Sequence, residues 1–145
     1  MGLELKHIAP HLPYGLTFRY DSEPSEYTLL GLQSDKMKLS EVTEDLEDDW
    51  VGHNDGWKPV LRPLSDLTKE VVIDNVKCVP IKKLGTRFSS ISCMLYSNTV
   101  QLDVSDSDSI NMLYYLTVFE KLYSMHFDVS GLIDKGLAIN INDLQ

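Results

Sequence analysis

The residues of this chain that could do chemistry are four histidines, two cysteines and several short acidic runs. His7 and His11 stand four apart, the spacing at which two imidazoles share a helical face and could hold a metal. Pro10 lies between them and denies them that helix. Asp103, Asp106 and Asp108 look like the start of a calcium loop. An EF-hand wants Gly at its sixth position and Glu at its twelfth. Counted from Asp103 those places hold Asp108 and Tyr114, and counted from Asp106 they hold Asn111 and Thr117. Helix capping explains these aspartates better. Cys78 and Cys93 have neither Cys-x-x-Cys spacing nor a basic cluster that would lower a thiol pKa. They read as small, buried apolar thiols rather than a redox pair. His53, next to Asp55, reads as an exposed loop histidine. His126 reads as a cation that favours the C-terminus of a helix. The chain has no glycine-rich phosphate loop, nucleophile elbow or His-Glu-x-x-His. No catalytic residue, cofactor or metal is therefore assigned, and the chain reads as a non-enzyme.

Charge is the feature above background. Residues 21–57 hold eleven acids, Asp21, Glu23, Glu26, Asp35, Glu41, Glu44, Asp45, Glu47, Asp48, Asp49 and Asp55, against Lys36 and Lys38. The segment carries −9, which is also the formal charge of the whole chain. An acidic lobe on an otherwise near-neutral body lacks the basic footprint of direct nucleic-acid binding. It suits solvation, or a protein partner with a basic surface. The residues assigned to such an interface are Glu41, Glu44, Asp45, Glu47, Asp48, Asp49 and Asp55.

Elements must position these groups. At 145 residues with 43% hydrophobic and 24% charged residues, the composition predicts one globular domain without staples. No apolar run approaches the roughly 20 residues of a membrane span, and the start shows no basic, then apolar, leader. Residues 8–16 read as a rigid loop. Leu16–Tyr20 and Tyr27–Gln33 read as a hairpin. Leu39, Val42, Leu46 and Trp50 share a helical spacing, which predicts an acidic helix over 39–50 with Ser40 as its N-cap. A loop over 52–57 and an extended 60–64 follow, then a short helix capped by Ser65. Asp74-Asn75 predicts a tight hairpin between 71–73 and 76–79. Pro80–Leu84 reads as one helical turn, Phe88–Leu102 as extended chain, and 108–126 as the one long helix. Leu132–Lys135 reads as a helical turn between Gly131 and Gly136, and Leu137–Ile141 as an edge strand. Arg62, among Leu61, Leu64 and Leu67, reads as a buried guanidinium needing a carboxylate or open carbonyls. The alternative is an anion site shared with Lys58 and Lys69. The fold class expected is α+β: a small, mostly antiparallel sheet packed against the 108–126 helix, with short accessory helices.

Three strings carry a family resemblance: Leu12-Pro13-Tyr14-Gly15-Leu16, the run from Lys58 to Glu70 (KPVLRPLSDLTKE), and the run from His126 to Ile139 (HFDVSGLIDKGLAI). Together they resemble a family of small proteins encoded by phages and prophages of anaerobic gut bacteria. The match spans most of the chain from Ile8 to Leu144 and is weak across 34–56 and 85–110. The resemblance implies a cytoplasmic protein of the bacterial host cell, and it carries over no catalytic residue. The function expected is a phage or prophage accessory protein that binds a host or phage protein. One form is an inhibitor that blocks the basic channel of a defence nuclease with its acidic lobe. The alternatives are a minor structural or assembly protein of the virion and, third, a small enzyme whose site has no motif.

Overall fold

The computed structural model describes residues 2–20, 23–41, 49–84, 91–96, 99–104 and 112–144. The fold is α+β, with a multi-strand antiparallel sheet and a few helices, one longer than the rest. The chain forms two compact units. Unit 1 comprises residues 1–61 and 132–145, and unit 2 comprises residues 62–131.

Unit 1 opens with a one-turn helix, α1 (Leu5–Ile8), and a 3-10 helix over Ala9–Tyr14. The two prolines suppress the regular helix, as expected, but the tighter 3-10 winding tolerates them. Gly15, at φ 64°, turns the chain into the sheet. Strands β1 (Thr17–Tyr20), β2 (Glu26–Leu32), β3 (Lys36–Glu41) and β4 (Asp49–Gly52) form an antiparallel meander. Strand β5 (Trp57–Leu61) pairs antiparallel with the other side of β1, and β10 (Ile139–Asn140) adds parallel to β5. Alternation decides which face is buried. Phe18, Leu29, Met37 and Leu39 point into a core shared with Leu3, Ile8, Leu16, Leu61, Leu132 and Ala138.

At both of its described ends, the acidic helix predicted over 39–50 is strand instead. Leu39, Ser40 and Glu41 end β3, and Asp49 and Trp50 begin β4, in a register that pairs Leu39 with Asp49 and Lys38 with Trp50. The middle of that prediction, residues 42–48, lies outside the described residues. A two-residue alternation won over the helical spacing because Met37 and Leu39 can both enter the core only as strand residues.

Strands β4 and β5 run in the same direction on opposite sides of β1–β2–β3, yet only residues 53–56 join them. Four inter-strand steps in a flat sheet would span about 19 Å before any displacement along the strands. Five residue steps reach at most about 18 Å when fully extended. The sheet therefore curls, bringing the end of β4 to the start of β5.

Unit 2 holds a 3-10 helix (Leu64–Thr68), the hairpin β6 (Val71–Ile73) and β7 (Val76–Cys78), and helix α2 (Pro80–Lys83). A second hairpin, β8 (Ile91–Tyr96) and β9 (Thr99–Val104), and helix α3 (Met112–Ser124) follow. Asp74 and Asn75 take φ 50° and 63°, the primed-turn geometry their sequence predicts. The 3-10 helix starts after Pro63, and no side chain caps it. Ser65 lies inside it, which corrects its assignment as N-cap. In unit 1, Leu132–Lys135 is a turn and not helical.

Helix α3 buries Val118 and Leu122, and Met125 follows just beyond its end, with Leu64, Leu67, Leu84 and Phe127 in a second core. It ends in a Schellman motif. The Phe127 N–H donates to Leu122 O at 3.0 Å and the His126 N–H to Tyr123 O at 3.0 Å, with His126 at φ 60°. His126 thus occupies the left-handed position that glycine usually takes.

Arg62 is buried. One guanidinium nitrogen lies 3.9 Å from Asp66 Oδ2, and the other donates to Val72 O at 3.4 Å. Its backbone is held as well: its N–H donates to His126 O and its carbonyl accepts from the Asp128 N–H, both at 2.8 Å. A carboxylate and a carbonyl are the partners its sequence setting calls for.

Candidate functional site

The curl of unit 1 leaves an open cleft of about 720 Å³ beside the β4–β5 turn. Tyr20, Asp35, Lys36, Trp50, His53, Asp55 and Trp57 are among its lining residues. Each is placed by a local cause. The Gly52 N–H donates to Asp55 Oδ2 at 3.2 Å, while the Asp55 N–H donates to Gly52 O at 3.3 Å. A Cβ on Gly52 would collide with the Asp55 carboxylate, so this reciprocal pair requires glycine. Gly56 has φ 85° and a Cβ there would lie 2.9 Å from the Tyr20 ring. Glycine at 56 is what lets Tyr20 lie against the turn.

The turn is tied down at two further points. The His53 N–H donates to Asp35 O at 3.4 Å. Asn54 takes the Leu3 N–H on Oδ1 at 2.7 Å and donates from Nδ2 to Leu3 O at 3.3 Å. A four-residue turn pinned in this way is a formed wall rather than a loose loop. Trp57 is held between two rings, Tyr20 at 5.1 Å and 59° and Tyr27 at 4.8 Å and 85° between planes. Edge and tilted contacts of this kind are favoured by ring quadrupoles. Trp50 projects from β4 over Gly31 and remains 44% exposed.

His53 corrects the sequence reading. It is 5% exposed, not a solvated loop residue. Its Nε2 is buried and has no hydrogen-bond partner among the described residues. Burying a polar atom unpaired is costly, and such atoms in native structures call for an explanation.

Of the residues assigned to a partner interface, Asp55 lines this cleft. Glu41 and Asp49 end β3 and begin β4, and Glu44, Asp45, Glu47 and Asp48 lie outside the described residues. The cleft's aromatic members were not singled out in the sequence, although two tryptophans flanking a Gly-His-Asn-Asp-Gly turn were a visible signal. His7 accepts the Glu4 N–H on Nδ1 in the capping box of α1. Lys6 holds the Glu4 carboxyl below its usual range, by a hydrogen bond and by its charge. Among the described residues no three of His, Cys, Asp and Glu cluster as a metal site would require, and no helix is long and apolar enough to cross a membrane.

Chemically, the cleft offers indole and phenol faces, two carboxylates, an imidazole and one ammonium. The named lining residues include no serine, threonine or cysteine nucleophile. Set beside protein-family models, curated proteins and solved structures, the chain matches none of them.

Proposed function

We propose that this is a non-enzymatic binding protein whose unit 1 docks a partner with a basic surface, in the cytoplasm of a bacterial host cell. The carrying observation is charge: the −9 of residues 21–57 falls entirely within unit 1. The segment from Glu41 to Asp49, which holds six of the eleven acids, joins the adjacent strands β3 and β4 in sequence. A concentrated negative field speeds encounter with basic surfaces and disfavours nucleic acid. The phage or prophage origin rests on the three sequence strings and makes a nucleic-acid-binding protein, such as a defence nuclease, the leading partner class.

The test is displacement of a labelled duplex oligonucleotide from purified basic nucleases by the full chain. Displacement should be competitive and should weaken steeply with added salt. A variant with Glu44, Asp45, Glu47 and Asp48 changed to their amides should lose about tenfold or more in potency. Failure to displace any of them, or displacement unaffected by both salt and the amides, would overturn the reading.

A further inference from the structure

We propose that the cleft beside residues 52–56 takes the side chain of an arginine presented by the basic partner. This rests on the docking reading above and names the group recognised. The first observation is the set of rings. Tyr20 and Trp57 stand in tilted contact at 5.1 Å and both line the cleft. Aromatic faces attract cations within about 6 Å of the ring centre, tryptophan most strongly.

The second observation is the charge around those rings. Asp35 and Asp55 line the cleft against the single ammonium of Lys36, which is exposed and can turn to solvent. Asp55 uses Oδ2 on the Gly52 N–H, and a carboxylate oxygen has further lone pairs for a guanidinium. Asp35 and Asp55 both belong to the segment 21–57, whose charge of −9 draws cations rather than anions or neutral ligands.

The third observation is His53. Its buried Nε2 lacks a partner among the described residues, and His53 is one of the residues lining the cleft. In the tautomer with the proton on Nδ1, Nε2 is an acceptor. An N–H from a bound guanidinium would satisfy it after a small turn of the ring. Arginine fits all three features together. Its plane stacks on indole, its five donors fork onto carboxylates, and it gives up water more readily than an ammonium does.

The experiment titrates the full chain with a blocked Gly-Arg-Gly peptide and with its lysine and citrulline counterparts, read by tryptophan fluorescence and by amide NMR shifts. Citrulline keeps the planar shape and loses the charge. Saturable binding of the arginine peptide, about tenfold or more tighter than either counterpart, is expected. Asp35→Asn with Asp55→Asn should weaken it about as much, with the circular dichroism melt unchanged. Asparagine at 55 keeps an acceptor for the Gly52 N–H, so the turn survives. No saturable arginine binding, equal binding of citrulline or lysine, or an unaffected double variant would overturn the proposal. If nuclease displacement succeeds while the arginine peptide fails to bind, the cleft assignment falls and the docking reading stands. If the peptide binds while displacement fails, the docking reading falls and the cleft assignment stands.

Discussion

Replacing Arg62 tests the buried polar contact of unit 2 directly. In Arg62→Ala, the Asp66 side chain, only 4% exposed, loses the guanidinium 3.9 Å away. Breaking a buried pair by removing one partner costs about 3–5 kcal/mol. Two features of the site shift that figure. The contact is long, and Lys69 still reaches Asp66 Oδ1 at 3.5 Å from a side chain that is 63% exposed. Against this, the hydrogen bond to Val72 O is lost, about 0.5–1.5 kcal/mol. The expected loss is about 2–4 kcal/mol. Arg62→Lys keeps the charge without the fork and should lose about 1–2 kcal/mol. Arg62→Met with Asp66→Leu removes both charges and should come within about 1 kcal/mol of the parent. Urea unfolding followed by far-ultraviolet circular dichroism measures all three. With a slope of about 2 kcal/mol/M, the alanine variant's midpoint should fall by about 1–2 M. Trp50 and Trp57 both belong to unit 1, so fluorescence alone would report the wrong unit. A loss below about 0.5 kcal/mol in the alanine variant, or a double variant as unstable as the single one, would refute the reasoning.

Leu122→Ala, at a side chain with no exposure in the second core, should cost about 2–5 kcal/mol in the same assay. His126→Gly should raise stability by about 0.5–1 kcal/mol, because glycine takes φ 60° without a Cβ clash. A loss there would mean that the imidazole's own contacts outweigh the backbone strain. Burial pushes the Tyr123 phenol above its ordinary value of 10.0. The folded state therefore keeps that proton longer than the unfolded chain does. The stability this provides is complete below pH 10.0 and is lost as pH rises above it through the raised folded-state value. Tyr123→Phe should flatten that part of the alkaline fall in stability, and a parallel curve would contradict the assignment.

What the sequence disclosed was local. Asp74-Asn75 between β-branched residues specifies its own turn, since few residue pairs accept two positive φ angles. The long helix showed because its apolar residues repeat at helical spacing across several turns. The strand ending at Glu41 is hidden by a competing pattern: Lys36-Met37-Lys38-Leu39-Ser40 alternates, but from Leu39 onward four apolar positions in twelve also fit a helix. The candidate cleft was hidden for a different reason. Tyr20, Asp35, Trp50 and Trp57 meet only when β4 and β5 come together around the sheet, and no spacing along the chain encodes that meeting. The burial of His53 follows from the same closure.

The parallel pairing of Ile139 and Asn140 with Val60 and Leu61 has a consequence for synthesis. Unit 1 draws its sheet from residues on both sides of unit 2, and Leu132 and Ala138 complete its core. On a ribosome, the first five strands emerge well before the segment that covers β5. Until residues 62–131 have followed, β5 presents an open edge with unpaired backbone groups, the kind of edge that recruits stray strands. The nascent chain is therefore most exposed to mispairing while unit 2 is being made, and early folding of unit 2 would shorten that interval.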